Sequence, residues 1–395
     1  MNKKIKRLRF RLIIPICFVA ALMMVGLFPA RGQAFHSGGV GKCDGCHSMH
    51  GAKAGSQQLL LSSDPSSICL NCHAGSGGPN SPSVFSPDGS ALTPGGDFYW
   101  LTRSFSWLDG DSPGNNHGHN IVAFDYNLLA DPVLNQAPGG SFPAARLGCT
   151  SCHDPHGGVD GGTRWGTLPV SGSGSYGEDP GMGTVNGNYR LLGDSRYQPP
   201  GGPTFNADAP IARQSRVNMF GESDTSHVDY GSGMSEWCGN CHGAILDASH
   251  QTGSNTFQHP SGNGALFEQE NADLYNAYLR TGDLTGTAAI AYLQFVPFER
   301  GTDNLQLLDP NSTLGPDANA NLMCLSCHRA HASAFPDAGR WDFTADLLAN
   351  SHPAGGDLGA SANDVYYSYY GRDIATEFGA GQGRFCEKCH GGATP

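Results

Sequence analysis

Charged residues are scarce in this sequence, and the chain contains few long apolar runs. Asp, Glu, Lys and Arg make up only 15% of its 395 residues, apolar residues make up 38%, and there are 56 glycines and 25 prolines. Glycine and proline at about a fifth of a chain exceed the usual globular level but stay below the level typical of disorder. We therefore expect a loop-rich protein whose core is built partly from something other than its own side chains.

Only one segment is apolar enough to enter a bilayer, and it lies at the start of the chain. The first eleven residues carry six Lys and Arg and no acid, an apolar run follows over 12–27, and small residues precede Phe35. This layout is typical of a secretory signal peptide. A retained membrane anchor is the alternative, because the run is nearly long enough to span a bilayer. We predict a signal peptide at 1–34 and a single domain at 35–395.

Basic residues become rarer still once this leader is removed. Seven of the 23 Lys and Arg lie in residues 1–34, which contain no Asp or Glu, so 16 basic residues face 35 acidic ones and the formal charge becomes −19. A chain this acidic is a poor ligand for nucleic acid or for an anionic membrane surface. The charge suits solubility and cationic partners such as metal ions.

Cysteine is absent from the mature sequence outside one motif. Twelve of the 13 cysteines belong to six copies of Cys-x-x-Cys-His, and the remaining one, Cys17, lies in the leader. The motif cysteines are Cys43, Cys46, Cys69, Cys72, Cys149, Cys152, Cys238, Cys241, Cys324, Cys327, Cys386 and Cys389. The motif histidines are His47, His73, His153, His242, His328 and His390.

The spacing of this motif has a chemical explanation. Residues at i, i+3 and i+4 share one face of a helical turn. Two thiols can thus bond the vinyl groups of one porphyrin while the histidine binds its iron as the proximal ligand. Disulfide frameworks, zinc ribbons and redox-active Cys-x-x-Cys units are the alternatives, but none requires a histidine after all six pairs. We predict six covalently bound haem c groups that pack closely and form much of the core.

Ten histidines remain after the six proximal ligands, and six of them would complete bis-histidine coordination. Such haems have low potentials and no open site, which favours electron transfer over catalysis. His50, His156 and His331 each follow a proximal histidine by three residues, so each lies one turn beyond its own haem and is placed to ligate only a neighbouring one. Spacing does not decide whether the other seven are distal ligands. Three of them are His36, His119 and His259. The other four resemble ordinary surface histidines: His117, His227, His250 and His352.

Several short sequence segments outside the haem motifs resemble segments of a known family. The chain is similar to the filament-forming, outer-surface hexahaem c-type cytochromes of metal-reducing bacteria, and the resemblance spans the whole mature chain. The words that carry it include Ala34-Phe35-His36-Ser37-Gly38-Gly39-Val40, Thr93-Pro94-Gly95-Gly96-Asp97-Phe98, Gly118-His119-Asn120-Ile121-Val122-Ala123, Gly233-Met234-Ser235-Glu236-Trp237-Cys238 and Tyr369-Tyr370-Gly371-Arg372.

The resemblance implies bis-histidine ligation at all six irons. The distal ligands it implies are His36, His50, His119, His156, His259 and His331. It also implies that one histidine of each subunit ligates a haem of the next. By position this is His50, which would reach the haem of Cys324, Cys327 and His328 in the neighbouring subunit. Shorter loops after Cys72, around 158–175 and between His331 and Cys386 leave the loop contacts at that interface open.

For the fold we expect mostly coil with short α-helices and little β-structure, arranged around haem as a multihaem cytochrome c. Two longer helices are predicted, at 266–280 and at 285–295, from their apolar periodicity.

For the function we expect long-range extracellular electron transfer by a homopolymeric, conductive filament. Other multihaem cytochromes and metal oxides are the expected partners, and no catalytic residue is assigned. A monomeric periplasmic electron carrier is the alternative, and a multihaem reductase is a weaker one because it needs an open iron. The predicted location is the extracellular space or outer cell surface, reached through the periplasm.

Overall fold

Coil and turns account for most of the chain in the computed structural model, which describes residues 45–53, 59–75, 81–155, 188–215, 221–249, 259–278 and 284–390. The mostly-coil prediction is confirmed. The predicted signal peptide, Cys43, His36, His156 and His250 lie outside the described residues. No helix within the described ranges is both long and apolar enough to span a membrane.

The regular elements are short, and five of the α-helices contain residues of a Cys-x-x-Cys-His motif. The α-helices of the described part are α1 Pro65–His73, α2 Cys149–Cys152, α3 Met234–Ser249, α4 Glu268–Ala277, α5 Cys324–Cys327, α6 Ala362–Ser368, α7 Ile374–Glu377 and α8 Glu387–His390. Single 3₁₀ turns occupy Phe98–Thr102, Gly114–Asn116, Phe124–Tyr126, Ala144–Arg146, Tyr189–Leu191, Ala288–Ile290, Leu305–Leu307, Pro336–Ala338 and Leu348–Asn350.

Helix α1 shows how local sequence positions a motif. The Asp64 side chain accepts a hydrogen bond from the Ser67 backbone N–H at 2.8 Å, and Pro65 occupies the first turn. Both are favourable at a helix start, where backbone N–H groups lack partners. The helix ends directly after its motif histidine, and Gly75 follows with a φ of +81°. The second haem motif therefore occupies the last turns of a capped helix.

Two small antiparallel hairpins supply the β-structure of the described residues. Strands β1 Phe105–Trp107 and β2 Gly110–Ser112 pair in the register Phe105↔Ser112. Strands β3 Ile211–Gln214 and β4 Val228–Ser232 pair as Gln214↔Val228, with an irregularity near Ile211. Elsewhere isolated bridges join loops, as between Gly96 and Ala332. Outside the two hairpins, the described loops are thus joined by single β-bridges and not by extended sheets.

One of the two longer helices predicted from periodicity is confirmed and the other is wrong. Helix α4 lies within 266–280 and buries Ala272 and Tyr275. In contrast, 285–295 contains only the 3₁₀ turn Ala288–Ile290, because several of its backbone groups bond to neighbouring segments. The N–H of Tyr292 donates to the carbonyl of Thr313. The residues from 291 to 299 are all buried, which no single helical face achieves.

The described core is aromatic and adjoins the motif cysteines. Its largest cluster contains Trp100, Phe295, Trp341 and Phe385, with Cys389 buried among them. A second cluster around Tyr230 packs against Cys238, and a third around Phe98 packs against Cys149. The side-chain core is thus divided into pieces that each border a haem motif.

Candidate haem-binding site

The thiols of successive motifs lie next to one another in chain order. The thiols of Cys69 and Cys149 lie close enough to interact directly, as do those of Cys238 and Cys324. The remaining neighbours are close enough for their charges to interact. They are Cys46 with Cys69, Cys152 with Cys241, and Cys327 with both Cys386 and Cys389. The six motifs therefore follow one another through the molecule, an order that sequence spacing did not reveal.

Helix packing brings two pairs of successive motifs together, the second with the third and the fourth with the fifth, while α8 of the sixth motif packs on α4. Helix α1 contacts α2, α3 contacts α5, and α4 contacts α8. The backbone N–H of Cys149 donates to Ser66 at 3.1 Å, and that of Cys324 donates to Ser235 at 2.9 Å. The third and the fifth motif are therefore each anchored directly on the helix of the preceding motif.

Several of the motif thiols differ from those of redox-active Cys-x-x-Cys units, in which the pKa of a cysteine is depressed. Burial raises the pKa of Cys152 to about 12, that of Cys327 to about 12 and that of Cys389 to about 12. A hydrogen bond from Cys238 lowers the pKa of Cys324 to about 6. The protein environment therefore raises the pKa of several motif thiols and lowers that of Cys324.

The histidines predicted to be haem ligands share one hydrogen-bond pattern. Nδ1 of seven of them lies 2.7–3.3 Å from a backbone carbonyl oxygen, so Nδ1 donates and Nε2 is left as the acceptor nitrogen, the form in which an imidazole can bind a metal. Burial lowers the pKa of His119, His153 and His331, the last to about 3, which keeps these rings neutral. The seven are His73, His119, His153, His242, His259, His328 and His331.

Three pairs of imidazoles face one another at a spacing that fits an iron between them. The ring centroids are 6.0 Å apart for His119 and His242, and 6.4 Å apart for His153 and His331. The third pair, His259 and His390, is separated by 5.8 Å. Two metal–imidazole bonds of about 2 Å each, laid end to end, place ring centroids about 6 Å apart. Each pair joins one proximal histidine to one histidine outside the motifs.

His331 illustrates the geometric argument made from its spacing. It follows His328 by three residues, but its ring lies beside His153 of another motif. The ring of His328 instead meets Phe343 at 5.5 Å, and no second imidazole contacts it within the described part of the chain. His50 is exposed and His47 is half-buried. Which distal histidine serves the motifs of His47, His73 and His328 stays a prediction.

Three histidines that the resemblance leaves out are engaged differently. Nδ1 of His117 lies 2.9 Å from the Trp100 carbonyl and Nε2 lies 2.7 Å from Ser112 Oγ. Both ring nitrogens of His227 face carbonyl oxygens at 2.9 Å. His352 bonds to Asp357 and stacks on a tryptophan. The expectation of surface positions was wrong for His117 and His227, which are buried because their ring nitrogens replace water contacts with protein ones.

Sequence reasoning missed a buried charged cluster beside the fifth motif. Arg329, Arg340 and Glu222 are all fully buried, and Glu222 accepts from Arg329 Nη1 at 2.9 Å. Arg329 Nε and Nη2 and Arg340 Nη2 have no hydrogen-bond partner among the described residues. Buried guanidinium groups normally have anionic partners. Unpaired donors here fit the carboxylate side chains that a porphyrin carries. Only the position of Arg329, directly after a motif histidine, could have signalled this.

A buried acidic residue, Glu299, lies between the fourth and fifth motifs. The backbone N–H of Met234 donates to Glu299 Oε1 at 2.7 Å, and Oε2 has no hydrogen-bond partner in the described part of the chain. Burial, with Glu236 nearby, raises the pKa of Glu299 to about 8. The folded protein therefore retains a proton that the unfolded chain, with a carboxyl pKa of 4.5, has released.

Replacing Glu299 with glutamine is expected to stabilise the protein at alkaline pH. Between pH 4.5 and about 8 the folded state binds more protons than the unfolded state, so stability falls as pH rises. The loss is at most about 1.4 kcal/mol per pH unit, and Glu299→Gln removes it. Thermal unfolding midpoints at pH 5 and pH 8 measure the effect, with the exposed Glu270→Gln as control. Parallel declines in wild type and Glu299→Gln would contradict the assignment.

Comparisons with known proteins identify relatives of this chain. Residues 36–78 match the family described as Doubled CXXCH motif. A curated relative, the C-type cytochrome OmcS of Geobacter sulfurreducens, is 41% identical over 424 aligned positions that cover 94% of this chain and 97% of the relative.

Two solved structures are also similar to this chain. The cryo-EM structure of OmcS nanowires from Geobacter sulfurreducens superposes with a TM-score of 0.76 at 39% identity, covering 90% of this chain and 99% of that one. The outer membrane cytochrome S filament from the same organism gives a TM-score of 0.75 at 39% identity and the same coverage. The chain therefore belongs to the OmcS family of c-type cytochromes, in which haem is bound covalently through Cys-x-x-Cys-His motifs.

Proposed function

We propose that this protein transfers electrons over long distances outside the cell, through six bis-histidine haems in a polymeric filament. The observation that carries the proposal is the direct contact between haem motifs: the Cys149 N–H bonds to Ser66, the Cys324 N–H bonds to Ser235, and the His331 ring lies beside His153. Porphyrins bonded to neighbouring thiols are themselves neighbours, so an electron has a continuous series of sites. The relatives described as nanowires and filaments support polymerisation.

The side chains of this protein would bind, orient and saturate the haems. The thiols hold each porphyrin, and the imidazole pairs saturate the irons, which lowers their potentials and leaves no position for a substrate. The three facing pairs support ligation by His119, His259 and His331. Arg329 and Arg340 would hold porphyrin carboxylates in the buried interior. The bound haem supplies the one-electron chemistry.

His50 carries the connection between subunits in this proposal. It is exposed, and His328 of the fifth motif has no second imidazole beside it among the described residues. In a head-to-tail assembly, the exposed imidazole of His50 in one copy can therefore supply the missing distal ligand at the His328 motif of the next copy. His36 and His156 then remain for the first two motifs. Export before assembly follows from the leader, and metal oxides or other multihaem cytochromes would accept the electrons.

Intact mass, visible spectra and negative-stain microscopy of the purified native protein test the proposal together. We expect a mass increase of six haems over the polypeptide that starts at Phe35, purely low-spin ferric spectra, and filaments. Monodisperse particles with the same spectra would support a monomeric carrier instead. A high-spin ferric component would indicate an open iron and favour a reductase.

A further inference from the structure

The segment Gly95–Phe98 lies directly against the imidazole of His331. The N–H of His331 donates to the Gly95 carbonyl at 2.6 Å, and Nδ1 of the same ring lies 3.3 Å from the Gly96 carbonyl. The Phe98 ring stacks on the imidazole with centroids 4.7 Å apart and planes inclined by 26°. One short segment therefore contacts both the backbone and the ring of this histidine.

Gly95 leaves room for the imidazole that no other residue would leave. A Cβ added to Gly95 would lie 2.8 Å from His331 Nδ1 and 2.9 Å from Cε1, well inside van der Waals contact. The neighbouring Gly96 has a φ of +93°, and a Cβ there would lie 1.9 Å from the Ala332 carbonyl oxygen. Two consecutive glycines thus let this segment approach His331 and Ala332 at backbone distance.

The segment itself is held rigidly. The buried carboxylate of Asp97 accepts backbone hydrogen bonds from Ser86, Ala91 and Tyr99 at 2.9–3.0 Å. The N–H of Phe98 donates to the Val84 carbonyl at 2.9 Å. Because Phe98 belongs to a buried apolar cluster as well, its ring is a fixed surface against which the imidazole rests.

The orientation of this imidazole has spectroscopic consequences. The rings of His331 and His153 are inclined by 56° to one another. In a ferric bis-imidazole haem, the angle between the two ligand planes sets the splitting of the iron d orbitals, and therefore the largest g value in electron paramagnetic resonance. Groups that contact a ligand outside the coordination sphere fix such angles and tune the potential.

We infer that Gly95 and Phe98 are positioning residues that set the rotation of the His331 imidazole about its bond to iron, and thereby the electronic state of the haem shared with His153. This inference rests on the proposed function, specifically on ligation by His331. It adds a specific role to the Thr93–Phe98 sequence word, which the haem motifs alone leave unexplained.

Electron paramagnetic resonance of the oxidised holoprotein tests it, with redox titration as a second readout. Gly95→Ala is expected to shift the largest g value and the potential of one haem, leaving the other signals in place. Phe98→Leu, which removes the stacked ring but keeps an apolar side chain, is expected to broaden or shift the same signal. Gly355→Ala and Phe124→Leu are the controls, since a Cβ at Gly355 meets nothing within 4 Å and Phe124 is 57% exposed.

Substitution of His331 itself distinguishes ligation by this histidine from the positioning role of Phe98. If His331→Ala leaves every haem low-spin, ligation by His331 and with it that part of the proposed function is wrong. If His331→Ala produces a high-spin haem but Phe98→Leu leaves all g values and potentials at wild-type values, the positioning role alone is refuted. Because Phe98→Leu removes volume without adding a clash, it decides the matter even if Gly95→Ala fails to fold.

Discussion

Replacing His50 with alanine is expected to abolish filament assembly while leaving the subunit folded. His50 is exposed in the single chain, and the fifth motif has no second imidazole beside His328 within the described residues. Removing the imidazole removes a coordinate bond that would join two copies, and the iron it serves is left with water or an open position. Negative-stain microscopy should show particles without filaments, and spectra should gain one high-spin haem per subunit.

The adjacent residue offers a matched control for this substitution. Met49 lies in the same turn and is 80% exposed, so Met49→Ala removes an exposed side chain without removing an imidazole. It should still form filaments with low-spin spectra. Loss of assembly in both variants would attribute the interface to packing. Filaments with a fully low-spin spectrum in the His50→Ala protein would refute ligation between subunits.

Replacing His119 with methionine is expected to convert one haem into an electron trap. His119 faces His242 at 6.0 Å and is oriented by the Ala330 carbonyl at 2.7 Å. A thioether ligand favours ferrous iron, and ligand identity moves haem potentials over a wide range, so we expect a rise on the order of 100 mV. A rise of that size is about 2.3 kcal/mol per electron. It slows thermal escape from the altered haem roughly 50-fold.

Potentiometric titration and filament conductance both measure this effect. One haem should titrate at the higher potential, with a sulfur-to-iron absorption band, and conductance should fall because every electron crosses the altered site. His352→Met is the control, since that imidazole bonds to Asp357 at 2.7 Å and stacks on Trp107 at 3.9 Å. Unchanged potentials in His119→Met would exclude His119 as a ligand.

Local periodicity predicted the helices unevenly, for a physical reason. The motif turns and α4 form because their residues bond to neighbours along the chain, and capping groups such as Asp64 lie within a few positions. The 285–295 segment has an equally regular apolar pattern but lies between α4 and the Thr313 loop, which compete for its hydrogen bonds. In a chain with so little regular structure, such long-range pairing often outweighs propensity.

The sequence by itself determined the chemistry of this protein. Six motifs, each with a histidine as its fifth residue, specify covalent haem, because the bonds that attach a porphyrin form within one helical turn. The charge balance and the predicted leader likewise depend only on composition and order. These features are local, so they can be seen without a fold.

Only the tertiary structure decided how these parts are related. It placed successive thiols beside one another, brought His331 to His153 across the chain, and buried Arg329 and Arg340 with a single carboxylate. It also distinguished His117 and His227, whose two ring nitrogens are both bonded to protein, from the histidines whose rings lie about 6 Å from a second imidazole. Each of these relations joins residues far apart in sequence, and the packing that brings them together has no signature in local spacing.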